Sequence, residues 1–153
     1  NRSKEDFITG YRRHGVLPPL WTAMEVLSLG AVSKMYRLLS DQSTRHEVAR
    51  SFGYPNPRFA ESVFHSLTVL RNVCAHHARL WHRTSLQIAP RVLNHLQTDP
   101  DKSIYQSTPW AWLTVLADIT DIIRQDATYS TILWLHVNRH PEYINGLKYP
   151  RRP

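Results

Sequence analysis

Between Arg58 and Trp81 the apolar residues return with the 3.6-residue period of a helix, over the longest uninterrupted stretch in the chain. Ala60, Val63, Phe64, Leu67, Leu70, Cys74 and Trp81 follow i, i+3, i+4, i+7 spacing. Such a stripe fits one side of a helix and cannot serve as a strand, where alternate residues face opposite ways. Other segments carry the same period. Residues 20–39 place Leu20, Met24, Leu27, Ala31, Met35 and Leu38 on one stripe, with Gly30 inside it. Further helices are expected over 3–13, 44–51, 108–124 and 129–139, with a short one around 90–96. Thr108 is the expected N-cap of its helix and Pro109 the first helical residue. Residues 144–153 read as a basic tail punctuated by Gly and Pro. Strand-like alternation is scarce, and there is no internal repeat or low-complexity tract. The expected fold is therefore all-α: a helical bundle with additional C-terminal helices, one domain over 1–153 without a visible boundary.

Composition removes several classes. A single cysteine, Cys74, excludes a disulfide framework, and its place on the apolar stripe reads as a small buried residue. No apolar run reaches the roughly 18–20 residues that span a bilayer, and no signal peptide is visible. The first residue is Asn, so the chain is expected to be the C-terminal part of a longer protein. Nineteen Lys and Arg against 12 acids leave a net charge of +7. Fifteen of the 19 are arginines, whose planar fork suits phosphate recognition. A polyanion, with nucleic acid ahead of a membrane surface, is the expected partner.

The segment with chemical content is Arg71-Asn72-Val73-Cys74-Ala75-His76-His77. With 15 Arg and 9 His in 153 residues, an Arg five places before a His is expected about once by chance. Requiring one of the 6 asparagines directly after the Arg lowers that to about 0.04. On a continuous helix at about 100° per residue, Asn72, His76, His65 and Arg79 form a polar seam opposite the apolar stripe. Arg71 lies on its flank, and His77 leans toward the core. An exposed imidazole can take a proton at neutral pH. A guanidinium can stabilise charge on a phosphorane. RNA brings its own nucleophile, the 2′-hydroxyl, so this set needs no metal and no cofactor. His76 is the candidate base, Arg71 the cation, and Asn72, one turn before His76, the residue that orients it. His65 and Arg79 are the candidate RNA contacts. A polar helix face without a catalytic role remains the plain alternative.

The run Arg71-Asn72-Val73-Cys74-Ala75-His76-His77-Ala78-Arg79-Leu80-Trp81-His82-Arg83 resembles the signature of abortive-infection proteins of the AbiD/AbiF type. Leu17-Pro18-Pro19-Leu20-Trp21 through Glu25, Gly30 and Tyr36 resembles a second landmark, and Gly146-Leu147-Lys148-Tyr149-Pro150 is similar to the closing segment. The resemblance implies the HEPN superfamily, an all-helical bundle in which R-x(4–6)-H marks metal-independent endoribonucleases. It implies Arg71 and His76 as the catalytic pair, with Asn72 as the motif's second residue. It also implies a homodimer with the two motifs facing, cytoplasmic phage defence through RNA cleavage, and RNA as substrate. An antitoxin or regulatory RNA enters as a candidate partner of such a toxin. The superfamily also holds domains that bind RNA or scaffold complexes without cleaving, so a non-catalytic RNA-binding or regulatory module is the second reading, and a helical protein–protein adaptor the third.

Other residues carry two readings each. Glu25 is the lone acid in its semi-apolar stretch and is expected either to hold the Arg71 guanidinium or to make an ordinary ion pair. His136 and His140 have metal-ligand spacing without an accompanying acid or cysteine cluster, so no metal site is expected. Arg12-Arg13 and Arg151-Arg152 are solvated ends or an RNA clamp. Trp110, Trp112 and Trp134 suit core packing or base stacking.

Overall fold

The computed structural model describes residues 6–84 and 89–151, with side chains from residue 9. Eight α-helices and two 3-10 turns account for its regular structure, and no strand occurs among the described residues. The chain is all-helical. Its contacts group into two units, residues 1–38 and 39–153.

The first unit holds α1 (Asp6–Arg13), α2 (Leu20–Val26) and α3 (Leu29–Leu38). The stripe expected on one helix over 20–39 is thus divided between two. Leu27 is extended (φ −82°, ψ 140°) and ends α2. Ser28 then restarts the helix, its Oγ accepting from the Ala31 amide at 3.2 Å. A serine that can satisfy free helix-start amides favours such a restart over continuation. The break dissolves the stripe: Leu20 and Leu38 are 63% and 72% exposed, and the buried residues are Thr22, Ser33 and Tyr36. Gly30 falls in the first turn of α3, where glycine costs less than in a helix interior.

The second unit is built around α6 (Pro109–Arg124), which packs against α5 (Pro57–Ala75), α7 (Thr128–Asn138) and α8 (Pro141–Lys148). The α6 start matches expectation: Thr108 Oγ1 accepts from the Ala111 amide at 3.3 Å and Pro109 opens the first turn. Ala111, Trp112, Val115, Ala117 and Ile119 are buried, and this apolar face is why α6 sits in the centre. Trp112 is core. Trp110 and Trp134 pack at a tilt of 39° with centroids 4.8 Å apart, and Lys148 lies 4.5 Å over the Trp110 ring. These aromatics pack within the unit rather than standing clear to stack bases.

On the other side, α4 (Gln42–Ser51) lies along α5. Asp41 caps α4 by accepting from the amides of Ser43 and Thr44. Arg45 pairs with Glu61 at 3.2 Å, and Phe52, Tyr54, Phe59 and Phe64 form an aromatic cluster at the helix ends. The looser stretch after residue 82 holds 3-10 turns at Asn94–Leu96 and Lys102–Tyr105. It is tied to α8 by the Asp99–Lys148 ion pair at 2.6 Å. That bond holds the Asp99 carboxyl below the usual carboxylate range.

The expected tail contains a helix instead. Pro141 is the first residue of α8, where a proline's missing amide costs nothing. Gly146 sits inside α8 and is buried.

Candidate functional site

The motif lies at the C-terminal end of α5. Asn56 caps the other end, accepting from the Phe59 amide at 2.9 Å. Phe59, Ala60, Val63, Ser66, Leu70 and Val73 are buried along one side. His65 and Asn72 of the expected polar seam are exposed on the helix, seven residues apart, whereas His76 and Arg79, expected on the same helical face, fall past its last residue, Ala75.

The helix ends at Ala75, six residues short of Trp81, and this corrects the geometry beyond it. His76 is the C-cap residue, and His77 turns left-handed at φ +51°. The His77 amide donates to the Cys74 carbonyl and the Ala78 amide to the Val73 carbonyl, both at 3.0 Å. These two bonds make a Schellman closure. The same pair of bonds closes α1 at Gly15 and α4 at Gly53, with φ +64° and +67°. Only α5 of these three carries a histidine at the left-handed position.

Several expected placements change as a result. His77, expected to lean into the core, is exposed, because the left-handed turn swings it off the helix path. Cys74, expected as a buried stripe residue, is exposed, since burial in the last turn of α5 narrows to Val73. Asn72 does not reach His76 through its side chain. Its Oδ1 accepts from Arg71 Nη1 at 3.1 Å, while its main-chain carbonyl accepts the His76 amide at 3.0 Å. Asn72 therefore holds the Arg71 guanidinium with its side chain, and its bond to His76 is the main-chain bond any residue there would make. Arg71, Asn72 and His76 are all exposed within one and a half turns.

Beyond His77 the chain runs as a short strap, residues 78–82, from α5 to α8. Arg79 is exposed in its middle. At the far end His82 is also left-handed, φ +55°, and its amide donates to the Gly146 carbonyl at 3.0 Å. His82 Nδ1 accepts the Arg151 amide at 3.2 Å. Trp81, expected on the α5 stripe, packs instead edge-on against Tyr143 of α8, centroids 6.4 Å apart. The sequence signal for this seat is Gly146, a glycine inside a helix, which marks a close approach.

The profile of the Abi-like protein family matches residues 1–82, from the chain's start through the strap's anchor at His82. This is more than half of the 153 residues. The chain belongs to the Abi-like family. No curated protein and no solved structure matches it. In this Abi-like protein Glu25 is exposed on α2, in the first unit, whereas Arg71 belongs to the second. The His136 and His140 rings lie 5.1 Å apart, inclined at 60°, with His140 Nδ1 3.3 Å from Glu142. No group of three or more His, Cys, Asp or Glu suited to a metal occurs among the described residues. No helix among them is long and apolar enough to cross a membrane.

Proposed function

We propose that this Abi-like protein is a HEPN-type, metal-independent endoribonuclease acting in abortive infection. The observation that supports the reading is the Arg71–Asn72–His76 arrangement. The guanidinium is steadied at 3.1 Å on the Asn72 side-chain oxygen, Oδ1, and the exposed imidazole follows on the cap of the same helix. In the proposed reaction His76 takes the proton of an RNA 2′-hydroxyl, and the 2′-oxygen forms a bond to the adjacent phosphorus. Arg71 stabilises the extra negative charge on the phosphorane. The P–O5′ bond then breaks, and the leaving oxygen takes a proton. The products are a 2′,3′-cyclic phosphate and a 5′-hydroxyl.

One helix end supplies one cap histidine. A second copy facing the first across the motif provides the proton donor for the leaving group, and His77 adds a further donor to the phosphate. His65 and Arg79 are proposed to contact the RNA backbone.

The test uses Arg71→Ala and His76→Ala. Each is expected to lower cleavage of a single-stranded RNA by at least about 100-fold, the scale of a lost general base or charge stabiliser. Helical circular dichroism should be unchanged, because both side chains are exposed. Full cleavage by either variant contradicts the assignment.

A further inference from the structure

The strap is held at its α8 end by a contact that only glycine permits. A Cβ placed on Gly146 would lie 2.1 Å from Trp81 Nε1 and 2.4 Å from Trp81 Cδ1. Those atoms belong to the rigid five-membered ring of the indole, so the ring would have to leave its seat. The Gly146 carbonyl also accepts the His82 amide. Gly146 thus receives two consecutive strap residues, one through the ring and one through the backbone. At the other end the strap is fixed by the Schellman closure at Val73–Ala78. The residues between the two anchors include Arg79, which carries its charge out into solvent. A helix interior is a costly place for glycine compared with alanine, so at Gly146 the missing side chain serves the contact rather than the helix.

We infer that Gly146 is a positioning residue: it seats Trp81 and thereby fixes the strap that presents Arg79 to the RNA phosphates beside the motif. The inference rests on the RNA-directed reading above and adds α8 to that site.

The test is a double-substitution cycle on the full chain, with a mixed-sequence single-stranded 20-nucleotide RNA. Gly146→Ala alone is expected to raise KM about tenfold, the size of one lost charge-assisted contact, with kcat within about twofold. Arg79→Ala should do the same. In the Trp81→Ala background, where no ring is left to displace, Gly146→Ala should leave KM unchanged. The melting temperature gives a readout independent of activity. Gly146→Ala should lower Tm when Trp81 is present and raise it in the Trp81→Ala background, where only the helix preference for alanine remains. A fall in kcat at constant KM, or equal effects in both backgrounds, overturns the inference. If the unsubstituted protein does not cleave, the same cycle is read from RNA Kd by fluorescence anisotropy at low salt. A Kd raised by Gly146→Ala only when Trp81 is present then upholds the positioning role while the nuclease reading falls. An unchanged Kd, or no RNA binding at all, overturns it.

Discussion

His77 occupies a backbone conformation that a glycine would hold at lower cost. The left-handed region costs an L-residue roughly 1–2 kcal/mol, and glycine in turn loses about 0.5–1 kcal/mol of chain entropy on folding. His77→Gly should therefore stabilise the fold by about 0.5–1 kcal/mol, read as a higher denaturation midpoint. On the proposed mechanism the same change should slow RNA cleavage, because the imidazole is lost. Opposite signs for stability and activity would mark a side chain kept for chemistry. A half-buried carboxylate makes a separate prediction. Burial raises the Asp118 carboxyl above its ordinary 3.8, with His95 opposing that shift and Asp121 adding to it. Tyr54, whose hydroxyl burial also pushes upward, feels the same carboxylate. A raised carboxyl favours the fold while protonated, below 3.8, and loses that contribution as pH rises through its native value. Asp118→Asn should thus raise Tm at pH 7, and the gain should shrink toward zero below pH 3.8. At this scale the sequence was informative about residue types and spacing: Asn72 and His76 of the expected seam, and Arg71 on its flank, are exposed. It was silent on the left-handed turn, because a histidine at that position carries none of the signal that Gly15 and Gly53 carry at theirs.

Elements with a capping residue and a proline at the start were readable to within a residue. Thr108 and Pro109 open α6 as expected, and the threonine carries two roles, since its hydroxyl also donates to the Ile104 carbonyl. Replacing Thr108 by alanine removes the cap and should cost about 1–2 kcal/mol. Thr108→Ser should recover most of it, and chemical denaturation of the pair measures both. Periodicity was a poorer guide to where a helix stops. It carried 20–39 straight through Leu27–Ser28, where the backbone extends and a serine caps the next helix. It carried α5 to Trp81, because a tryptophan at the right spacing looks the same whether it packs on its own helix or on one 65 residues later. Likewise α8 was hidden by Gly146, whose helix-breaking signal has its physical origin in the Trp81 contact. The fold class survived these misplacements because it depends on the period of the apolar residues. The boundaries depend on caps and on partners distant in sequence.

For the molecule as a whole, the family match ends at His82, yet the group that holds His82 lies on α8. The motif helix, the strap and α8 are one connected arrangement within the second unit. The net charge of +7 fits an RNA substrate. It is the Arg71–Asn72–His76 cluster that turns binding into a proposal about bond breaking. The most direct measurement is cleavage of a single-stranded RNA by the purified protein in excess EDTA, with the new ends identified by mass spectrometry. The account predicts cleavage undiminished by EDTA, leaving 2′,3′-cyclic phosphate and 5′-hydroxyl ends, with DNA of the same sequence untouched. Cleavage that EDTA abolishes, 3′-hydroxyl ends, or RNA binding without any turnover would contradict it.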